Sequence, residues 1–217
     1  MTAYKIYILG KKNPSKELFN ELLQKDEDGE LIYWAGKDWP KFNYENGLDG
    51  LIQKDEDGDY IYWSGKDWPE FNYEKGFNAL IQKDKTGELI YWAGLKWPKF
   101  DYERGFNELV RKDKTGYWIY LAGRNWKNFN YNKGLDVLIK KDETGEWIYS
   151  AGKKWKEFDY RKGINALKKF PKYYKLALED WPKNKNVLNY MNKSLKNSKN
   201  IKPKKFSIKE EILFLLR

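Results

Sequence analysis

The chain has 217 residues, 42 lysines and arginines against 32 carboxylates, a net charge of +10 and a mean hydropathy of -0.93. An apolar content of 41%, with 18% aromatic residues, excludes a disordered polymer, and no apolar run approaches the roughly 18 residues that cross a bilayer. Cysteine and histidine are both absent, which closes disulfides, thiol catalysis, thiolate or imidazole metal sites and the commonest general base. The inventory therefore predicts a protein that is not an enzyme and uses no cofactor and no metal. With no signal-like leader in "MTAYKIYILG", a cytoplasmic location is the default expectation.

In chain order, residues 1 to 24 form a divergent first unit. "KIYILG" aligns with a later "LIYWAG", and "SKELFNELLQKDEDG" aligns with the second half of each later unit after a loop shortened by three residues. Leu18, Phe19, Leu22 and Leu23 recur at helical spacing among strong helix formers, so that second half is a helix.

Five gapless units of 29 residues follow over residues 25 to 169, sharing the frame K-D-x-[DT]-G-x-x-I-Y-x-[AS]-G-x-x-W-x-x-F-[ND]-Y-x-x-G-x-[ND]-x-L. Such strict periodicity is the mark of a repeat array. Each unit holds a short β-branched and aromatic segment, "ELIYWAG", that predicts a strand. A loop that opens on the repeated Trp and a helix entered through Asn43, Asn72, Asp101, Asn130 or Asp159 come next. Strands joined through helices are parallel with right-handed crossovers. The expected fold is therefore α/β, with tandem 29-residue βα repeats forming a curved, horseshoe-like solenoid around a parallel sheet. It resembles leucine-rich repeats in unit length and element order only, since the L-x-x-L-x-L pattern and its Asn ladder are absent. A β-rich repeat array is the alternative.

The invariant aromatics and glycines have a structural expectation. Trp39, Trp68, Trp97, Trp126 and Trp155 should pack the strand-to-helix loop, and Gly47, Gly76, Gly105, Gly134 and Gly163 should lie beneath that same Trp, because both features are missing from the first unit. On the strand side, Tyr33, Tyr62, Tyr91, Tyr120 and Tyr149, flanked by Trp118 and Trp147, form the candidate binding surface for another protein.

Charge runs from acidic to basic. Residues 25 to 53 and 54 to 82 each carry net -4, whereas residues 112 to 140 carry +4 and residues 141 to 169 carry +3. Arg124, Lys153 and Lys154 are thus candidates for nucleic-acid contact, and the opposed ends allow head-to-tail self-association. Residues 170 to 195 read as a helical cap. Residues 196 to 217 read as a basic linker followed by the amphipathic segment "SIKEEILFLLR". The function expected is a non-enzymatic protein-binding scaffold or inhibitor acting through the strand-side aromatic surface; the alternative is nucleic-acid or ribonucleoprotein binding through the basic C-terminal half.

Overall fold

The computed structural model describes residues 1 to 181; part of the expected cap and all of the expected linker and amphipathic segment lie outside the described residues. The chain divides into two compact units, Met1–Lys112 and Asp113–Arg217. The described residues hold thirteen helices and no strand, so the expected βα repeats with a parallel sheet, and the β-rich alternative, are both replaced by tandem helical hairpins.

The first unit contains α1 (Ala3–Lys12), α2 (Lys16–Lys25), α3 (Glu30–Asp38), α4 (Tyr44–Lys54), α5 (Asp59–Asp67), α6 (Tyr73–Lys83), α7 (Glu88–Lys96) and α8 (Tyr102–Lys112). The first helix of each hairpin packs on its own second helix, and α1, α3 and α5 also pack on the first helix of the hairpin that follows. The second unit repeats the scheme with α9 (Tyr117–Asn125), α10 (Tyr131–Lys141), α11 (Glu146–Lys154), α12 (Tyr160–Leu167) and α13 (Pro171–Asp180). Pro171 opens α13 at its first turn, where a missing N–H does no harm.

Why "ELIYWAG" is helical follows from its caps and its face. Asp55 ends α4, its backbone N–H donating to Leu51 O at 2.9 Å. Its carboxylate then starts α5, with Oδ1 accepting from Gly58 N at 2.9 Å and Oδ2 from Ile61 N at 2.8 Å. One buried residue thus closes a helix and nucleates the next, and Asp26, Asp84, Asp113 and Asp142 are buried in the same place. Gly58 lies between them at φ +90°, a left-handed conformation that favours glycine. The carboxylate also sits at the positive end of the helix dipole. Burial nevertheless pushes the Asp26 and Asp55 carboxyls above their ordinary range, against the opposing pull of these backbone N–H groups.

Downstream of the cap, Ile32, Tyr33, Ala35, Gly36 and Trp39 are all buried, a spacing of i, i+1, i+3, i+4, i+7 that fits a helix face and no strand. The second helices start where their capping residues predict: Asn43 accepts from Asn46 N at 3.0 Å, and Asp101 from Arg104 N at 3.0 Å. The core of each hairpin is an Ile of the first helix against a Leu of the second. Ile32, Ile61, Ile90, Leu51, Leu80 and Leu109 are fully buried in the first unit.

Candidate binding surface

The repeated tryptophans are joints between hairpins. Trp68 donates its Nε1–H to Tyr33 O of the preceding hairpin at 3.0 Å, and its ring lies so close over Gly36 that a β-carbon there would overlap the indole. Phe42 and Tyr44 stand edge-on to the same ring, 5.2 and 5.6 Å between centroids. Trp97 repeats the joint on Tyr62 O and Gly65, and Trp39 on Tyr7 O and Gly10. In the second unit Trp155 docks on Tyr120 O and Gly123, and Trp181 on Tyr149 O and Gly152. All five, and Trp126, are at most 4% exposed.

The expected partnership of Trp39 with Gly47 needs correction. A β-carbon on Gly47 would stand 2.5 Å from the ring of Phe42, and Gly76, Gly134 and Gly163 face Phe71, Phe129 and Phe158 in the same way. The glycine makes room for its own loop's Phe, while the Trp serves a different glycine one hairpin earlier. Gly105, at the corresponding place in α8, is also buried.

Without a sheet, the tyrosines form no strand-side ladder. Tyr33, Tyr62, Tyr91 and Tyr120 are 3 to 7% exposed, and Tyr149 is half-buried. Their hydroxyls reinforce the joints. Tyr33 donates to Asp67 Oδ2 at 2.6 Å, and Lys37 Nζ donates to the same carboxylate at 3.1 Å. Tyr7, Lys11 and Asp38 repeat this triad, as do Tyr149, Lys153 and Asp180 in the second unit. Hydrogen bonds from Lys11 and Tyr7 hold the Asp38 carboxyl below its ordinary value. Burial pushes the Tyr33 and Tyr149 hydroxyls up, with the neighbouring Asp adding to it. The repeat position of Asp38 and Asp67 is basic in two later repeats, as Lys96 and Lys154.

What remains outside is a different aromatic series. The residue after each repeated Tyr reads Trp34, Trp63, Trp92, Leu121 and Ser150. It lies on the side of the first helix away from the core, so Trp34 and Trp63 are 38% and 39% exposed and Trp92 is half-buried. Lys37 Nζ stands 4.8 Å from the Trp34 ring centre, and Lys66 Nζ 4.4 Å from that of Trp63. Beside Trp63 the turns 26 to 29 and 55 to 58 enclose a groove of about 570 Å³. It is lined by Glu27, Asp28, Glu56, Asp57, Asp59 and Tyr60, with Lys54 and Asp55.

The second unit presents a different edge. Trp118 and Trp147 are half-buried and Tyr117 is 37% exposed. Trp147 stacks on Tyr120 with a 22° interplanar angle and touches Tyr117 at 5.0 Å. The adjoining groove, about 640 Å³, mixes Lys114 and Lys141 with Glu143 and Glu146. Arg124 and Lys154 are exposed, as is Lys153 despite its bonds to Tyr149 and Asp180.

Trp34 and Trp63 belong to a series that varies between units, as a recognition surface can, but a strand would set them on the face opposite the tyrosines and outside the candidate surface. Read as a strand, "IYWAG" puts Trp34 on the same side as Ile32; read as a helix, it puts them about 200° apart. Among the described residues no helix is long and apolar enough to cross a membrane. No family model, no curated protein and no solved structure matches the chain.

Proposed function

We propose that this chain is a non-enzymatic scaffold that binds another protein, using the outward side of its first helices. The observation that carries the proposal is the contrast between two kinds of tryptophan. Those in the Trp-Pro loops are consumed by the joints, whereas Trp34 and Trp63 stand half in solvent at equivalent positions of the adjacent helices α3 and α5. Two large rings repeated in register on packed helices offer the kind of aromatic anchor on which protein interfaces concentrate their binding energy. Burying both rings against a partner would contribute on the order of a few kcal/mol.

The test is recovery of the tagged full-length chain from its native lysate, with and without nuclease, beside a Trp34→Ala/Trp63→Ala variant. A discrete protein that survives nuclease and is lost from the variant supports the proposal. Nuclease-sensitive recovery that persists in the variant would transfer the function to nucleic acid and to the cations of the second unit.

A further inference from the structure

Carboxylates outnumber the single lysine, Lys54, in the groove beside the exposed indole of Trp63. Residues 25 to 53 and 54 to 82 each hold seven carboxylates against three lysines. Asp38 and Asp67 are held in the joints by Lys11 and Lys37, and Asp49 pairs with Lys75. Glu27, Asp28, Glu56, Asp57 and Asp59 make no ion pair among the described residues, and all five line the groove beside Trp63. The rings themselves already act as cation platforms, each with a lysine of its own helix within 5 Å of its centre.

The corresponding edge of the second unit has lost this combination. Position 34 has become Leu121 and Ser150, and where the first groove has Glu27, Asp28 and Asp57 the second has Lys114, Thr115 and Thr144, the lysine at 54 and 141 being common to both. Apolar ring faces and uncompensated negative charge therefore coincide in the first unit.

We propose that the Trp34 and Trp63 face of α3 and α5 docks a lysine- and arginine-rich segment of a partner protein. This rests on the protein-binding function proposed above and narrows it to a partner chemistry. An arginine matches both parts of the surface. Its planar guanidinium stacks on an indole while its N–H groups reach the carboxylates of the adjacent turn. A nucleic acid is repelled by the same charge, and an acidic or purely apolar segment would leave the carboxylates uncompensated.

The experiment uses the full-length chain and two labelled 12-residue peptides, one alternating arginine with leucine and one alternating glutamate with leucine, titrated at 50 and 500 mM salt. The arginine peptide should bind at least tenfold more tightly than the glutamate peptide and weaken with salt. Trp34→Ala/Trp63→Ala should lower its affinity about tenfold, and Glu56→Gln/Asp57→Asn/Asp59→Asn by a similar factor. Unchanged far-ultraviolet circular dichroism will show that both variants fold. Lys153→Gln/Lys154→Gln should leave binding as it is.

Equal binding of the two peptides overturns the proposal. So does arginine-peptide binding indifferent to the Trp substitutions, which would mark diffuse attraction to an acidic chain. If neither peptide binds while the lysate partner still depends on Trp34 and Trp63, the basic-segment proposal falls and the scaffold function stands.

Discussion

The two outermost joints of the described residues treat the same interlock from opposite sides. Helix α1 carries the hole, Gly10, that receives Trp39, but the place where later hairpins carry the tryptophan knob is Asn13. Helix α13 is the reverse. It is followed by the knob, Trp181, which fills the hole at Gly152, yet its own hole position is occupied by Leu178. Every hairpin between them has both parts. Knob and hole are therefore independent components, each kept where its counterpart exists, and the contrast explains why the first unit could lose its Trp without harm. It also bears on the expected head-to-tail association. Among the described residues the first hairpin carries no knob and α13 no hole, so the two ends of the described residues do not present the two halves of this joint.

The most damaging way to break the comparison is to remove a knob. Trp39→Ala or Trp181→Ala leaves a large cavity and removes the indole bond to Tyr7 O or Tyr149 O, and should cost about 3 to 5 kcal/mol in urea unfolding followed by circular dichroism. Asn13→Trp, a knob with no hole, should by contrast change stability by less than about 0.5 kcal/mol. Filling a hole comes next. Gly10→Ala drives a methyl group into the Trp39 ring and should cost about 1 to 3 kcal/mol, despite alanine's better helix propensity. Leu178→Ala, at a hole position that no tryptophan among the described residues fills, should fall well short of that.

The last joint also has its own pH signature. Tyr160 lies 5.5 Å from the Trp181 ring, and burial pushes its hydroxyl up to about 12. A raised phenol means that the folded state favours the neutral form. Its stabilisation is complete below the unfolded value near 10 and is lost as pH rises through about 12, on the order of 2 kcal/mol in all. Ultraviolet titration should show a phenol ionising near pH 12 that is lost in Tyr160→Phe.

An interior joint offers a smaller gain. Ser64 stands where the other four full repeats have alanine, and its buried Oγ has no hydrogen-bond partner among the described residues. Ser64→Ala should raise stability by about 1 kcal/mol. The smallest effect belongs to the first joint's triad. Asp38 is partly exposed and its carboxyl is held low by Lys11 and Tyr7. Its contribution is present above the unfolded value near 4 and is lost as pH falls through the lower folded value. Asp38→Asn should cost only a few tenths of a kcal/mol at neutral pH and remove that acid-dependent step.

The period and the helix caps at Asn43 and its equivalents were legible because they are local. The first helix was not. "LIYWAG" is short, aromatic and interrupted by Gly36, which together imitate a strand ending in a turn. The helical face emerges only when the window extends to Trp39, and Gly36 has no local reason to exist. Its reason is Trp68, 32 residues later and in the next hairpin. The same non-locality misdirected the pairing of Trp39 with Gly47. Within a single unit they are the conspicuous partners, but the Trp belongs to Gly10 behind it. The binding candidates shifted for that cause too. Treating period 3.6 as period 2 placed the buried tyrosines on the outside and drew attention from Trp34 and Trp63.

The joint has a genetic consequence. A knob and a hole sit on each internal 29-residue segment, and the buried Asp at its seam completes one helix while opening the next. An in-frame duplication or loss of 29 residues therefore carries matched parts with it, and leaves no orphaned cap, void or overlap to be repaired by a second mutation. The number of hairpins is in this sense a heritable variable decoupled from their chemistry, free to change while the face of each new copy diverges.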